Sequence, residues 1–267
     1  MSRKEAGRRI GLARALSKLG YCSRSRAAEL VRAGRVRLND AIHPDPETPV
    51  RLERDRLAVD EHAIQQAQRI YLAMNKPRGV VTTASDEKGR ETVYSILEKP
   101  GEALPWVAPV GRLDKASEGL LLLTNDSEWA ARVAAPESHV EKTYHVQIDR
   151  VADEPMIRAI LCGVKIENEI LRAADCHLLR SGEKNSWLEI KLSEGKNRQI
   201  RRMLEAVGVE VLRLVRVAIG PLQLGTLAKG NYRHLEENEK RMLDRAMKKA
   251  AHYERHEGSR RKNECLI

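Results

Sequence analysis

One acidic side chain stands in a basic setting near the middle of the chain. Asp114 lies between Arg112 and Lys115 and precedes an apolar run that begins at Gly119. An aspartate is ionised at pH 7, and such a carboxylate acts in enzymes as a nucleophile or as a stabiliser of developing positive charge. The same pattern also fits an aspartate that only accepts hydrogen bonds from loop N–H groups, so both interpretations stand here.

The surrounding sequence predicts an α+β domain. Three stretches carry apolar residues at every second position, the spacing of strands with one buried face. They are Ile70, Leu72 and Met74; Tyr144, Val146 and Ile148; and Leu188, Ile190 and Leu192. A helical stripe follows at Ile200, Met203, Leu204 and Val207. Because strands and helices do not alternate regularly, we expect a mainly antiparallel mixed sheet flanked by helices.

The N-terminal part predicts a small α/β domain. Residues 10–33 carry two helical stripes that Gly20 separates, and Ser23 or Ser25 is suited to cap the second helix. Gly34 suits the left-handed position that ends a helix. Five arginines crowd this segment and are candidates for phosphate contacts or for a solvated surface. They are Arg24, Arg26, Arg32, Arg35 and Arg37, with only Glu29 opposing them locally.

These patterns divide the chain into five segments. We expect a basic arm at 1–9, a small α/β domain at 10–62, a linker at 63–68, a larger α+β domain at 69–235 and a charged, partly disordered helical tail at 236–267.

The composition favours a polyanionic partner. The 267 residues include 48 Lys and Arg against 38 Asp and Glu, a net charge of +10. Charge alone leaves nucleic acid and acidic membrane both open. Apolar runs are too short for a bilayer span, and no apolar leader follows Met1, so we expect no membrane association and a cytoplasmic location. The four cysteines are isolated and His252 and His256 lie in the tail, so no metal site is expected.

Two sets of motifs resemble known families. Residues 15–26, continuing through 34–39, resemble the S-four-type RNA-binding domain, although Asp40 stands where that family usually has glycine. The block at 111–124, which contains Asp114, resembles the signature of Rsu-type ribosomal RNA pseudouridine synthases. Three further blocks occur in family order, at 74–79, 142–144 and 192–203.

The resemblance implies a role for each candidate residue. Asp114 is the expected catalytic residue, Arg201 its paired cation, and Tyr144 a residue that lies against the target base. The spacing of Tyr144 alone fits a core tyrosine equally well. Arg112 is expected to hold the nucleotide or its displaced neighbours. Further RNA contacts are expected from Lys76, Lys196, Arg198 and Arg202, and a helix face shared by Arg198, Arg201 and Arg202 is predicted from their spacing.

The implied reaction converts an N-glycosidic uridine into a C-glycosidic one and needs no cofactor. No nucleotide-binding glycine loop occurs in the sequence. The target uridine must be flipped out of its stack. We expect a monomer that acts on ribosomal RNA, with the large subunit favoured. A non-catalytic RNA-binding assembly factor is the alternative, and an RNA methyltransferase, which would need a cofactor loop, is a third class.

Overall fold

The computed structural model describes residues 9–84, 86, 88–98 and 104–253, with side chains through Met247. The predicted basic arm at 1–8 and the end of the tail at 254–267 lie outside these residues. The chain forms two compact units. Unit one contains residues 9–71, 104–108 and 123–127, and unit two contains the remaining described residues.

Unit one opens with two helices, α1 (Leu12–Lys18) and α2 (Arg24–Arg32). Ser23 caps α2, since its hydroxyl accepts a hydrogen bond from the Arg26 N–H at 3.1 Å, which confirms one of the two predicted caps. Gly34 follows α2 with a φ of 69°, the predicted left-handed position. Apolar side chains of both helices pack over Val36 and Val59.

Six short strands complete unit one. They are β1 (Ile10–Gly11), β2 (Val36–Leu38), β3 (Ala41–Ile42), β4 (Pro49–Val50), β5 (Leu57–Val59) and β6 (His62–Ala63). β1 pairs with β4, and the other four form a sheet in the order β3-β2-β5-β6. The predicted linker at 63–68 differs from the structure, because Ala63 belongs to β6 and the Ala67 N–H donates to the Leu19 carbonyl at 2.9 Å. This segment packs back onto unit one.

Unit two contains most of a large mixed sheet. Its strands are β7 (Tyr71–Lys76), β8 (Ala108–Val110), β9 (Glu118–Thr124), β10 (Lys142–Ile148), β13 (Asp175–Ser181), β14 (Ser186–Leu192), β15 (Val211–Ile219), β16 (Leu222–Gln223) and β17 (Tyr232–His234), while β11 (Val164–Ile166) and β12 (Glu169–Leu171) form a separate hairpin. The main order is β13-β14-β10-β15-β9-β7-β17, with β15 and β9 parallel. The predicted mainly antiparallel mixed sheet is thereby confirmed.

Helices flank this sheet. They are α3 (Val93–Leu97), α4 (Ser127–Ala134), α5 (Glu154–Cys162), α6 (Gln199–Ala206) and α7 (Glu237–Tyr253), with a 3-10 turn at Pro136–Ser138. Helices α5 and α6 cover one face of β10 and β14, where Val146, Leu188, Met203 and Leu204 are fully buried. The predicted stripe on α6 is confirmed at Ile200, Met203 and Leu204.

Two predictions about unit two need correction. Strand β7 does not alternate, because Leu72, Ala73 and Met74 are all buried in a strand that lies between β9 and β17. The predicted boundary at residue 235 also fails to separate the tail, since α7 belongs to unit two and buries Leu243 completely. No helix in the described ranges is long and apolar enough to cross a membrane.

Gly119 allows β9 and β15 to approach closely. Its φ is 101°, and a Cβ there would overlap the carbonyl oxygen of Arg216, its partner in the parallel pair. Only glycine fits this position without strain. The approach fixes the start of β9, the strand that follows the Asp114 turn.

Candidate active site

Asp114 lies in a tight turn between β8 and β9. The Ser117 N–H donates to the Asp114 carbonyl at 3.0 Å, and the Gly79 N–H donates to the Lys115 carbonyl at 2.8 Å. Thr82 adds a third contact, since its hydroxyl donates to the Leu113 carbonyl at 2.8 Å. The backbone around the aspartate is therefore held on both sides, while its side chain remains 35% exposed.

A cleft of about 460 Å³ opens at this turn. It is lined by residues 81–83, 86, 88, 90 and 112–115. Arg112, which is exposed, and Asp114 both face it. On its wall, the Arg90 guanidinium and the Asp86 carboxylate form an ion pair at 2.5 Å, which holds the pKa of Asp86 at about 2. The volume lies within the range of pockets that bind small ligands, and a single nucleotide falls in that class.

The ion pair of Asp114 is with Arg198 rather than with the predicted Arg201. The Arg198 Nη1 and Asp114 Oδ2 atoms are 3.8 Å apart. Arg198 has a φ of 47° and precedes the first helical residue of α6, so it does not share a helix face with Arg201 and Arg202 as predicted. The left-handed backbone at Arg198 redirects its side chain, which spacing along the sequence does not reveal.

Arg201 is hydrogen-bonded to the backbone of the turn that contains Asp114. Its guanidinium donates to the carbonyls of Ala116 and Val211, each at 3.1 Å. Burial lowers the pKa of Arg201 below its usual value, the charge of Arg198 lowers it further, and Asp114 opposes both. Arg201 therefore adds positive field at Asp114 while it fixes the turn through Ala116.

Lys76 is fully buried, with 0% of its surface exposed. Its ammonium donates to the carbonyls of Pro77 and Ser117, each at 2.9 Å. Burial lowers the pKa of Lys76 to about 8, against the opposing charges of Asp114 and Glu118. The predicted RNA contact at Lys76 is corrected, because both of these carbonyls belong to the protein and the side chain is closed to solvent.

Glu118 is a buried carboxylate that the sequence interpretation missed. It accepts hydrogen bonds from Arg213 at 3.1 and 3.2 Å and from Lys229. Burial alone would raise the pKa of Glu118, but these two cations outweigh burial and lower it. The sequence feature that could have identified Glu118 is its position inside the block at 111–124.

Tyr144 lies on β10 directly opposite Arg216 on β15. It is half-buried and packs against the core beneath β10 and β14. Arg216 is 5% exposed, and its Nε donates to the Leu120 carbonyl at 2.7 Å. Lys142 precedes Tyr144 by two residues, and burial together with Arg216 lowers the pKa of Lys142 to about 8. Neither Arg216 nor Lys142 was assigned a role from the sequence.

Lys196 and Arg202 share one acidic partner. Glu169 on β12 lies 3.3 Å from the Lys196 Nζ and 2.7 Å from the Arg202 Nη2. These two predicted RNA contacts are thus partly neutralised by a residue from another hairpin. Among the described residues, no group of three or more His, Cys, Asp and Glu side chains is arranged to hold a metal ion.

The arginines of unit one have more acidic partners than their local sequence indicates. Glu29 lies 2.9 Å from Arg26, as the local sequence suggests. Loops elsewhere in unit one supply the other carboxylates. Glu47 lies 3.2 Å from Arg24, Asp60 lies 2.8 Å from Arg35, and Glu61 lies 4.0 Å from Arg37. Arg32 is exposed and has no ion pair within the described ranges.

Comparisons with known proteins agree with this architecture. Residues 70–206 match the family described as RNA pseudouridylate synthase, and residues 10–56 match the S4 domain. Ribosomal large subunit pseudouridine synthase B of Bacillus subtilis (strain 168) is 32% identical over 234 residues, which cover 87% of this chain and 94% of that protein.

Two further relatives support the match. An uncharacterized RNA pseudouridine synthase of Aquifex aeolicus (strain VF5) is 34% identical over 87% of this chain and 92% of its own length. A crystal structure of a pseudouridylate synthase is similar at a TM-score of 0.59 and 29% identity, covering 88% of this chain and 99% of that one. The chain therefore belongs to the RNA pseudouridylate synthase family of isomerases and carries an N-terminal S4 RNA-binding domain.

Proposed function

We propose that this protein isomerises a specific uridine of large-subunit ribosomal RNA, with Asp114 as its catalytic carboxylate. The B. subtilis relative named for the large subunit supports the choice of RNA. The proposal depends on one observation, which is the placement of Asp114 in a hydrogen-bonded turn that faces a nucleotide-sized cleft. The Arg198 guanidinium lies within ion-pair distance of this carboxylate, at 3.8 Å.

The reaction breaks the N1–C1′ bond of uridine and forms a C5–C1′ bond, so the product has the same atoms as the substrate. An ionised carboxylate serves either as the nucleophile or as the group that stabilises positive charge while the base turns. Tyr144 offers a flat ring for the base and a hydroxyl for proton transfer. Arg112, at the mouth of the cleft, is positioned to hold the flipped nucleotide or its neighbours.

The affinity for RNA comes from several cations in this proposal. Arg24, Arg26, Arg32, Arg35 and Arg37 of unit one are available for phosphates, as are Arg198, Lys196 and Arg202 of unit two. Those with carboxylate partners exchange them for phosphate oxygens on binding. We further propose that the protein acts as a monomer in the cytoplasm and that it needs neither a cofactor nor a membrane.

The decisive experiment replaces Asp114 with Asn in a strain that lacks the wild-type gene. Mapping pseudouridine in ribosomal RNA by carbodiimide chemistry should show loss of one site, and purified Asp114→Asn should be slower by roughly 10³-fold or more. Asp175→Asn is the matched control, because Asp175 pairs with Lys191 on the sheet instead of facing the cleft. Full modification by Asp114→Asn would refute the proposed role.

The choice of RNA is tested separately. Pseudouridine mapping across all cellular RNA, with and without this gene, should reveal one missing site in the large-subunit RNA. A missing site in the small-subunit RNA would overturn the choice of subunit while leaving Asp114 in place.

A further inference from the structure

Lys142 and Arg216 extend from neighbouring strands, β10 and β15, and neither has a carboxylate partner within the described part of the chain. The Arg216 Nε donates to the Leu120 carbonyl, but its buried Nη2 has no hydrogen-bond partner among the described residues. Lys142 is half-buried, and no group in the described ranges accepts a hydrogen bond from its ammonium. A buried cation and a half-buried one thus lie on neighbouring strands with unused donors.

The charge balance around them is positive. Burial and the nearby guanidinium of Arg216 lower the pKa of Lys142 to about 8, and Arg216 also lowers the pKa of the buried Lys76. The carboxylate of Glu118 is already engaged by Arg213 and Lys229. Burying a charge without a partner costs free energy. An anion bound here would offset that cost, because it would neutralise the positive charge and accept hydrogen bonds from the unused donors.

The position of Lys142 relates this place to the chemistry. Lys142 and Tyr144 are two residues apart on a strand, so their side chains extend from the same face of β10. Arg216 lies opposite Tyr144 on the next strand. An anion held by these cations would therefore lie beside the tyrosine expected to contact the target base.

We propose that Lys142, with Arg216 behind it, forms a binding subsite for a backbone phosphate of the RNA next to the flipped uridine. This inference rests on the proposed function, because RNA presents a phosphate monoanion at every nucleotide. Lys142 makes the direct contact, since its side chain is the more accessible of the two. Arg216 contributes its unused Nη2 donor and its charge.

The test compares uridine 3′,5′-bisphosphate with uridine as probes for the purified full-length protein. Lys142→Met should bind the bisphosphate about tenfold or more weakly, as expected for loss of a charge-assisted hydrogen bond, while the weaker binding of uridine stays unchanged. Lys142→Arg should retain most of the affinity. Lys184→Met, in the exposed turn between β13 and β14, is the control and should bind like wild type.

A second readout separates binding from a merely structural role. In wild type labelled at the lysine side chains, the ¹³C resonance of Lys142 should titrate at a higher pH when the bisphosphate is present, because the phosphate favours the ammonium form. Equal affinity of wild type and Lys142→Met for the bisphosphate, or an unchanged titration of Lys142, would overturn the subsite.

Failure of the subsite and failure of the proposed function give different results. Wild type that forms pseudouridine while Lys142→Met binds the bisphosphate normally would refute the subsite alone. Weakened bisphosphate binding by Lys142→Met, together with unchanged ribosomal RNA modification after gene deletion, would refute the proposed function and support the subsite.

Discussion

The exposed arginines of unit one and the buried cations of unit two are held in opposite ways. Arg24, Arg26 and Arg35 are exposed, and each has a carboxylate within ion-pair distance. Lys76 and Arg216 are buried and, within the described ranges, donate only to backbone carbonyls. The exposed cations therefore have counter-ions, whereas the buried cations, whose loss of hydration costs more free energy, have none among the described residues.

This difference indicates which charges are kept for use. An exposed pair is screened by water and salt, contributes little to stability and exchanges its carboxylate for a phosphate readily. A buried cation without a counter-ion lowers stability unless its surroundings replace its hydration shell. We therefore expect the buried cations to matter for the site's structure and chemistry, and the exposed arginines to matter for affinity and its salt dependence.

The largest expected effect comes from Lys76→Ala. It removes the donor from the buried carbonyls of Pro77 and Ser117 and leaves a cavity, so the free energy of unfolding should fall by about 3–5 kcal/mol. Urea denaturation measures this change. Lys76→Met is the control, since it fills the volume and removes a buried charge, and it should lose clearly less. Equal losses would show that the packing of this side chain is unimportant.

The buried charge of Lys76 should also appear in the pH dependence of stability. The pKa of Lys76 falls from 10.5 to about 8 on folding, so the unfolded chain binds the proton more tightly. Below pH 8 the buried charge of Lys76 therefore lowers the free energy of unfolding, and this loss is recovered as the pH rises from 8 towards 10.5. The stability of wild type relative to Lys76→Met should rise across this window by up to about 3 kcal/mol. A flat difference would mean that Lys76 is already neutral or well hydrated.

The contrast between the two regions also shows what the sequence could predict. The Ser23 cap, the left-handed Gly34 and the apolar stripe of α6 depend on residues within one turn of each other, so local patterns identified them. The family motif identified Asp114 as the candidate catalytic carboxylate. These features need no knowledge of which segments meet in space.

Features that depend on distant segments were missed. Glu47, Asp60 and Glu61 come from loops well separated in sequence from the arginines they face, and Glu169 comes from a hairpin that precedes its partners. The burial of Lys76 depends on strands on both sides of β7. The hydrogen bond from Arg216 to the Leu120 carbonyl depends on the packing of β15 beside β9, which only the folded sheet reveals.

A smaller effect is expected from Glu169→Gln, which removes the carboxylate that pairs with both Lys196 and Arg202. Loss of this carboxylate frees Arg202 for phosphate and leaves Lys196 with Glu194, which lies 3.5 Å away, so affinity for a ribosomal RNA transcript should rise by about two- to fivefold at low salt. The affinity should also fall more steeply with salt concentration. Glu183→Gln, in the exposed β13–β14 turn, controls for net charge. An increase of the same size in this control would assign the effect to overall charge.

The smallest effect should come from Arg35→Met in unit one. The partner of Arg35, Asp60, is exposed, and hydrogen bonds from Arg35 hold the pKa of Asp60 below its usual value. Because water solvates both groups once they separate, the urea midpoint should hardly move, and the small change should vanish at high salt. RNA affinity should fall and its salt dependence should become shallower by about one counterion. A midpoint shift comparable with that of Lys76→Ala would contradict this difference, because an exposed arginine would then matter as much for the stability of the fold as a buried lysine.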